Sequence, residues 1–194
     1  MRLFAAIELD EAARAKVADE QRRIERALGE RAGPKWTSGD QLHITLVFLG
    51  QIEEANAPAI ADAVRTPIPV APFALTFAGV GVFPARGAPR VVWLGTTTGS
   101  AEAASVQRLV GERVRRLGVE LESRPFRPHV TLARWRGAVP GDRRRLHAAN
   151  TGRDIATIGV DHVTLFHSKP LPGGSQYTPL AVGPLIAGEG PPVQ

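Results

Sequence analysis

The chain lacks cysteine altogether, and this absence excludes several kinds of chemistry at once. Without thiols there are no disulfide bonds, no thiolate metal ligands and no cysteine nucleophile. Lysine is nearly as scarce, because the 24 basic residues include only Lys16, Lys35 and Lys169 as lysines. Arginine therefore carries the net charge of +5, and its guanidinium binds phosphate through paired hydrogen bonds. Two explanations of this charge stay open: a compositional bias toward arginine, and a polyanionic partner such as RNA.

Long hydrophobic runs are also missing. No stretch approaches the roughly 18 apolar residues that a membrane-spanning helix needs. In the N-terminal segment "MRLFAAIELDEAARAKV" the apolar run is too short for a secretory signal, and acidic residues follow it directly. The sequence contains no Walker loop, no Rossmann fingerprint and no His-Glu-x-x-His zinc motif. From these absences we expect a cytoplasmic protein that does not bind membranes.

Strands and helices alternate in the order strand, helix, strand, helix, and this order occurs twice. In the first half the pattern predicts a strand over residues 2–8, a helix capped by Asp10 and a strand over 42–49. In the second half it predicts a helix capped by Ser100 and a strand over 129–135.

Four weaker features are also expected. Short strands are predicted over residues 73–77 and 80–83, and a longer one over 158–166. The segment 29–40 is predicted to be a loop, since it is rich in residues that break helices and strands.

A histidine and a threonine occur two residues apart in both halves of the chain. The first pair, His43 and Thr45, lies in "QLHITLVFLG", and the second, His129 and Thr131, lies in "FRPHVTLAR". Side chains alternate between the two faces of a strand, so both members of a pair point the same way. The recurrence predicts that residues 1–194 form a single domain of two pseudo-symmetric lobes, each contributing one motif.

The same His-x-Thr pattern begins once more at His162. This copy lacks the helix, loop and strand that precede the other two. We interpret His162 as a half-exposed strand histidine without a catalytic role.

Two imidazoles and two hydroxyls that face one cavity suit phosphodiester chemistry. Imidazole, with an unperturbed pKa of about 6.5, gives or takes a proton near neutral pH. A threonine hydroxyl donates a hydrogen bond to a phosphate oxygen. A zinc site is the rival use of histidine, but a hydroxyl is a poor zinc ligand and neither motif carries a carboxylate. We therefore expect a reaction that needs no metal and no cofactor.

The motifs and their flanks resemble a known family. "KWTSGDQLHITLVFLG" and "FRPHVTLAR" look like the two signatures of the 2H phosphoesterase superfamily. The opening "RLFAAIEL" and the closing "LFHSKPLPGGSQYTPL" extend the resemblance to the RNA 2′,3′-cyclic phosphodiesterases of bacteria and archaea, first described as 2′–5′ RNA ligases. The resemblance implies an α+β, bilobal, duplicated fold in which two antiparallel sheets flank a central cleft and the helices lie outside.

The resemblance also implies roles for individual residues. His43 and His129 would be the catalytic pair, without a distinction between acid and base. The substrate- and phosphate-binding residues would include Thr45, Thr131, Phe48 and Arg134.

Strand alternation raises a difficulty for two of these residues. Phe48 and Arg134 lie five residues after their histidines and therefore point to the opposite face of a regular strand. They reach the cleft only if the strand twists, bulges or ends before them. Arg127 lies two residues before His129, on the same face, and is a further candidate contact.

The expected activity is hydrolysis of an RNA 2′,3′-cyclic phosphate to a 2′-phosphomonoester. The expected partners are RNA or nucleotides with a 2′,3′-cyclic phosphate, and the protein is expected to work as a monomer. Two alternatives stay open. The same site could join RNA ends through a 2′–5′ linkage, or the chain could be a non-catalytic RNA-binding module.

Overall fold

The computed structural model of the protein describes residues 1–29, 33–172 and 174–187. The strands are β1 (Arg2–Glu8), β2 (Lys35–Trp36), β3 (His43–Gln51), β4 (Phe73–Phe83), β5 (Val91–Thr96), β6 (Val130–Arg134), β7 (Asp154–Val160), β8 (His162–Leu171) and β9 (Gly174–Pro184). The α-helices are α1 (Glu11–Leu28), α2 (Ala57–Arg65), α3 (Ser100–Arg115) and α4 (Pro140–Ala149). Within the described ranges, no helix is both long enough and apolar enough to cross a bilayer.

The strands form two antiparallel sheets. The four-stranded sheet has the order β3-β1-β8-β9, and the five-stranded sheet has the order β2-β6-β5-β4-β7. β3 and β6, which carry or follow the two His-x-Thr motifs, contact each other across the junction of the sheets. The predicted α+β fold with two antiparallel sheets is confirmed.

Two of the helices that link strands, α1 and α3, cross to the opposite sheet. α1 follows β1 of the four-stranded sheet but contacts β7 of the five-stranded sheet. α3 follows β5 of the five-stranded sheet but contacts β3 of the four-stranded sheet. Fully buried side chains of both helices, including Val17 and Val106, belong to one hydrophobic cluster with both sheets. Both motifs therefore rest on a common core.

The first helix begins where the sequence predicted. The side chain of Asp10 accepts a hydrogen bond from the backbone N–H of Ala13 at 2.7 Å, which satisfies a donor of the first turn. The second capping prediction was wrong, because α3 has Gly99 as its N-cap. The Ser100 hydroxyl instead pairs with the Thr96 hydroxyl at 2.7 Å.

Three strand predictions need correction. Residues 73–77 and 80–83 belong to one strand, β4, whose pairing with β5 shifts register near Gly79. The range 158–166 covers the end of β7 and the start of β8, which lie in different sheets.

The predicted loop 29–40 contains a short strand, β2, which pairs Lys35 with Arg134 of β6. Residues 30–32 of that loop lie outside the described residues.

Candidate active site

The imidazole of His43 is anchored by its backbone and packed between aromatic rings. Nδ1 donates a hydrogen bond to the Gln41 carbonyl at 2.8 Å, because a carbonyl oxygen only accepts. Nε2 lies 3.0 Å from the Thr45 hydroxyl. The rings of Phe4 and Tyr177 lie 4.9 and 5.3 Å from the imidazole, centroid to centroid. These contacts leave Nε2 as the nitrogen that can exchange a proton with a ligand.

His129 has the same kind of anchor in the other sheet. Its Nδ1 donates a hydrogen bond at 2.7 Å to the carbonyl of Arg127, again two residues upstream. The rings of Phe83 and Trp93, from β4 and β5, lie 5.4 and 6.0 Å from the imidazole. Both histidines therefore hold Nδ1 against their own backbone and keep Nε2 for other partners.

A cavity of about 490 Å³ lies between the two sheets at the motifs. Its lining includes the predicted residues His43, Thr45, Thr131, Phe48 and Arg134. Side chains from both motifs thus meet in one concave space.

Two of the predicted residues lie outside that lining. His129 is half-buried and directly precedes β6, two residues before the lining residue Thr131. Arg127 is exposed, and its backbone carbonyl anchors His129. A substrate contact by the Arg127 guanidinium stays a prediction.

Burial lowers the pKa of His43 to about 4. The hydrogen bond to Gln41 and the carboxylate of Glu8 act in the opposite direction, whereas the charges of His129 and Arg134 lower this pKa further. His43 is therefore neutral near pH 7, with a lone pair on Nε2.

Two β-bulges turn Phe48 and Arg134 toward the cavity. The pairing of β1 with β3 skips Leu46, and the pairing of β5 with β6 skips Leu132. Both skipped residues lie three positions after the motif histidine. An extra residue reverses the face to which the following side chains point. Phe48 and Arg134 consequently share the face of their histidines, which resolves the difficulty that strand alternation raised.

A buried glutamine on α1 supports the second bulge. The Nε2 of Gln21 donates hydrogen bonds to the carbonyls of Leu132 and Thr37, each at 2.9 Å. The Leu132 carbonyl also accepts the backbone N–H of Thr37 at 2.9 Å. The sequence analysis did not identify Gln21. Its signal was a polar residue within the apolar stripe of an amphipathic helix, four residues after Val17 and three before Ile24.

Positive charge surrounds the cavity. The lining includes Arg2, Lys35 and Arg134, and within the described part of the chain it includes no Asp or Glu. The Arg2 guanidinium lies 4.9 Å from the centroid of the Phe48 ring, a cation–π distance. Arg2 opens the segment "RLFAAIEL" and Lys35 opens "KWTSGDQLHITLVFLG", but the sequence analysis did not identify either as a site residue.

His162 takes part in a separate polar cluster. Its Nδ1 contacts the Asp161 carboxylate, and its Nε2 lies 3.9 Å from Oε2 of Glu8. The same Glu8 oxygen accepts the hydroxyl of Thr164 at 2.7 Å. Among the described residues, no group of three or more histidine, aspartate or glutamate side chains is placed to hold a metal ion.

Comparison with known proteins identifies the family. The model of the 2'-5' RNA ligase superfamily matches residues 10–170. The RNA 2',3'-cyclic phosphodiesterase of Archaeoglobus fulgidus is 35% identical over 134 residues, 69% of this chain and 72% of that protein. Its namesake in Methanothermobacter thermautotrophicus is 32% identical over 187 residues, 94% of this chain and 97% of that protein. The crystal structure of E. coli LigT complexed with 3'-AMP has a TM-score of 0.74 and 28% identity, covering 95% of this chain and 97% of that chain. The chain therefore belongs to the 2'-5' RNA ligase superfamily and is an enzyme.

Proposed function

We propose that this enzyme hydrolyses the 2′,3′-cyclic phosphate at the end of an RNA to a 2′-phosphomonoester, with two histidines as general acid and general base. The observation that carries the proposal is the duplicated anchor, in which His43 and His129 each fix Nδ1 on a carbonyl and keep Nε2 for proton transfer. The names of the relatives, RNA 2',3'-cyclic phosphodiesterase, support the substrate.

In the proposed reaction, one imidazole takes a proton from a water molecule as its oxygen attacks phosphorus. The other imidazole donates its proton to O3′, so the P–O3′ bond breaks and the P–O2′ bond stays intact. Water supplies the new P–O bond. Before the next turnover the first histidine releases to solvent the proton that it took, and the second recovers one from solvent. The net result is a 2′-phosphate beside a free 3′-hydroxyl.

The threonines and Arg134 stabilise the negative charge that develops on the phosphate oxygens. The hydroxyls of Thr45 and Thr131, which line the cavity, donate hydrogen bonds to the non-bridging oxygens, which gain negative charge in the transition state. The Thr45 hydroxyl contacts Nε2 of His43 at 3.0 Å. A bound phosphate oxygen would replace that contact and free the lone pair of Nε2.

The name of the family supports a second candidate activity at the same site. A 5′-hydroxyl in place of water would attack the same phosphorus, expel O3′ and leave a 2′–5′ phosphodiester. Water is far more concentrated than RNA ends, so hydrolysis is the expected main reaction.

The test uses purified protein in excess EDTA with a nucleoside 2′,3′-cyclic phosphate. Phosphorus NMR should show a 2′-monophosphate as the product, because the chemistry needs no metal and O3′ leaves. A 3′-monophosphate would contradict the assigned leaving group. No turnover in EDTA would contradict the proposed metal-independent reaction of two histidines.

A further inference from the structure

The five-stranded sheet carries two aromatic side chains next to His129, outside the cavity lining. Trp93 of β5 pairs in register with Thr131 of β6, and directly paired residues of antiparallel strands point to the same face of a sheet. Because Thr131 lines the cavity, the indole of Trp93 lies on the same side of the sheet as the site. The rings of Phe83 and His129 lie 5.3 and 6.0 Å from the indole, centroid to centroid. Trp93 and Phe83 thus form one aromatic platform beside the motif histidine.

Two glycines let the indole lie flat on the sheet. A Cβ at residue 81 of β4 would overlap the six-membered ring of Trp93, and a Cβ at residue 95 of β5 would come within 3.1 Å of it. The backbone of Gly81 and Gly95 therefore covers one face of the ring. Trp93 stays partly exposed, so the opposite face is accessible from the side of the site. A flat ring with one accessible face can stack on a planar ligand.

The polar edge of the indole cannot take part in recognition. Nε1 of Trp93 is buried, and it has no hydrogen-bond partner in the part of the chain that the structure describes. Trp93 therefore presents only its π-face to a ligand. Every nucleobase has a π-face, so stacking on an aromatic side chain tolerates any sequence.

Positive charge flanks the platform and favours a nucleic acid as its ligand. Arg127 lies two residues before His129, and Arg86 lies three residues after Phe83. Both arginines are exposed, and within residues 1–29, 33–172 and 174–187 neither guanidinium forms a hydrogen bond or an ion pair. Aromatic rings beside cations are the combination that binds single-stranded RNA, through its bases and its backbone together.

The terminal nucleoside of the substrate has a separate place. The cavity of about 490 Å³ is within the range of ligand pockets, and its lining includes the aromatic residues Phe48, Trp36 and Tyr177 for the terminal base. The platform lies outside this lining but adjoins Thr131, a proposed phosphate contact. It is therefore placed for a nucleotide next to the terminal one.

We propose that Trp93 and Phe83 stack on the base of the penultimate nucleotide of the RNA, an inference that rests on the proposed function. An RNA with a 2′,3′-cyclic phosphate continues only through O5′ of its last ribose, so the neighbouring base belongs to the preceding nucleotide. The platform therefore favours RNA ends over mononucleotides, whatever base precedes the end.

The experiment compares kcat/KM for three substrates. They are a nucleoside 2′,3′-cyclic phosphate, a dinucleotide with the same cyclic end, and that dinucleotide with an abasic first residue. The abasic compound keeps the phosphodiester and its charge and loses only the base that stacks. Stacking of one base should make kcat/KM for the natural dinucleotide about tenfold higher than for the abasic one.

Variants of the platform test the residues directly. Trp93→Leu should bring the ratio of natural to abasic kcat/KM toward one, whereas Trp93→Phe keeps a smaller ring and should retain part of the ratio. Phe73→Leu is the matched control, because Phe73 lies at the opposite end of β4 from Phe83, and it should keep the wild-type ratio. A ratio of two substrates is independent of the amount of active protein, so it separates stacking from damage to the fold.

Three results would overturn the platform. Equal kcat/KM of the wild type for the natural and the abasic dinucleotide would exclude stacking, while their turnover would still support the proposed function. An equal loss on all three substrates in Trp93→Leu, with the ratio unchanged, would show that Trp93 acts only on the position of His129. No turnover of any substrate would overturn the proposed function and the platform together.

Discussion

At the scale of single residues, His43 and His129 have similar anchors and different surroundings. Both donate Nδ1–H to a carbonyl two residues upstream. We expect His43→Ala and His129→Ala to lower kcat by roughly 10²–10⁴-fold each, the usual contribution of a general acid or base. Steady-state kinetics, with thermal melts to confirm folding, measure this.

His162→Ala is the matched control for these variants. It also follows the His-x-Thr pattern but pairs with Asp161 and Glu8 outside the cavity lining, so kcat should stay near the wild-type value. Wild-type kcat in either motif variant would contradict the two-histidine proposal.

The protonation of His43 can be measured directly. Nitrogen and proton NMR of the ring should show a proton on Nδ1 at pH 7 and a pKa of about 4, lowered from 6.5 mainly by burial. A ring pKa at or above 6.5, or a proton on Nε2 at pH 7, would contradict the geometry of this site.

The same pKa shift affects stability. The unfolded chain binds a proton at this ring more readily than the folded protein does, so protonation favours unfolding. The contribution of His43 is complete above about pH 6.5 and is lost as the pH falls toward 4, with a limit of about 3 kcal/mol in unfolding free energy. Urea unfolding at pH 7 and pH 4.5 should show a smaller pH dependence in His43→Asn than in the wild type.

At the scale of elements, β4 shapes the surroundings of His129 through a glycine. Gly81 faces Trp93 across the β4–β5 ladder, and a Cβ at residue 81 would overlap the indole ring. Gly81→Ala must therefore displace Trp93, whose ring lies 6.0 Å from that of His129. We expect a loss of about 1–3 kcal/mol in stability from overpacking and a loss of about tenfold or more in kcat.

Gly159→Ala is the matched control, because Gly159 lies in β7 and a Cβ there would meet no atom within 4 Å. Its kcat should equal that of the wild type. If Gly81→Ala keeps wild-type kcat and its His129 proton chemical shifts do not change, then Trp93 does not position the histidine.

Sequence patterns predicted those features of the site that follow from the geometry of a single strand, but not those that depend on how strands pair. The shared face of His43 and Thr45 follows from alternation alone. The orientation of Phe48 toward the cavity does not follow from alternation, because the bulge at Leu46 arises only in the pairing of β3 with β1. Similarly, residues 158–166 were predicted as one strand because apolar residues lie on both sides of Asp161. The pattern does not show that β7 and β8, which meet there, belong to different sheets. The pair Lys35–Trp36 is too short to show any period.

At the scale of the whole molecule, the crossed helices connect the two sheets. α1 and α3 each follow a strand of one sheet and contact a strand of the other, so each sheet packs against a helix that is joined to the other sheet. One hydrophobic cluster spans both sheets. The sequence interpretation of one domain with two lobes thus predicts one cooperative unfolding transition.

The positions of the tryptophans make this prediction testable. Trp36, Trp93 and Trp135 all lie in or directly after strands of the five-stranded sheet, so their fluorescence reports on that sheet. Leu3 is fully buried in β1 of the four-stranded sheet. Leu3→Ala should cost about 2–5 kcal/mol of unfolding free energy through the cavity that it leaves. In urea, the unfolding transitions followed by tryptophan fluorescence and by far-UV circular dichroism should both move to lower urea concentration. Each should report the same loss of unfolding free energy. A fluorescence transition that Leu3→Ala leaves in place would show that the sheets unfold independently.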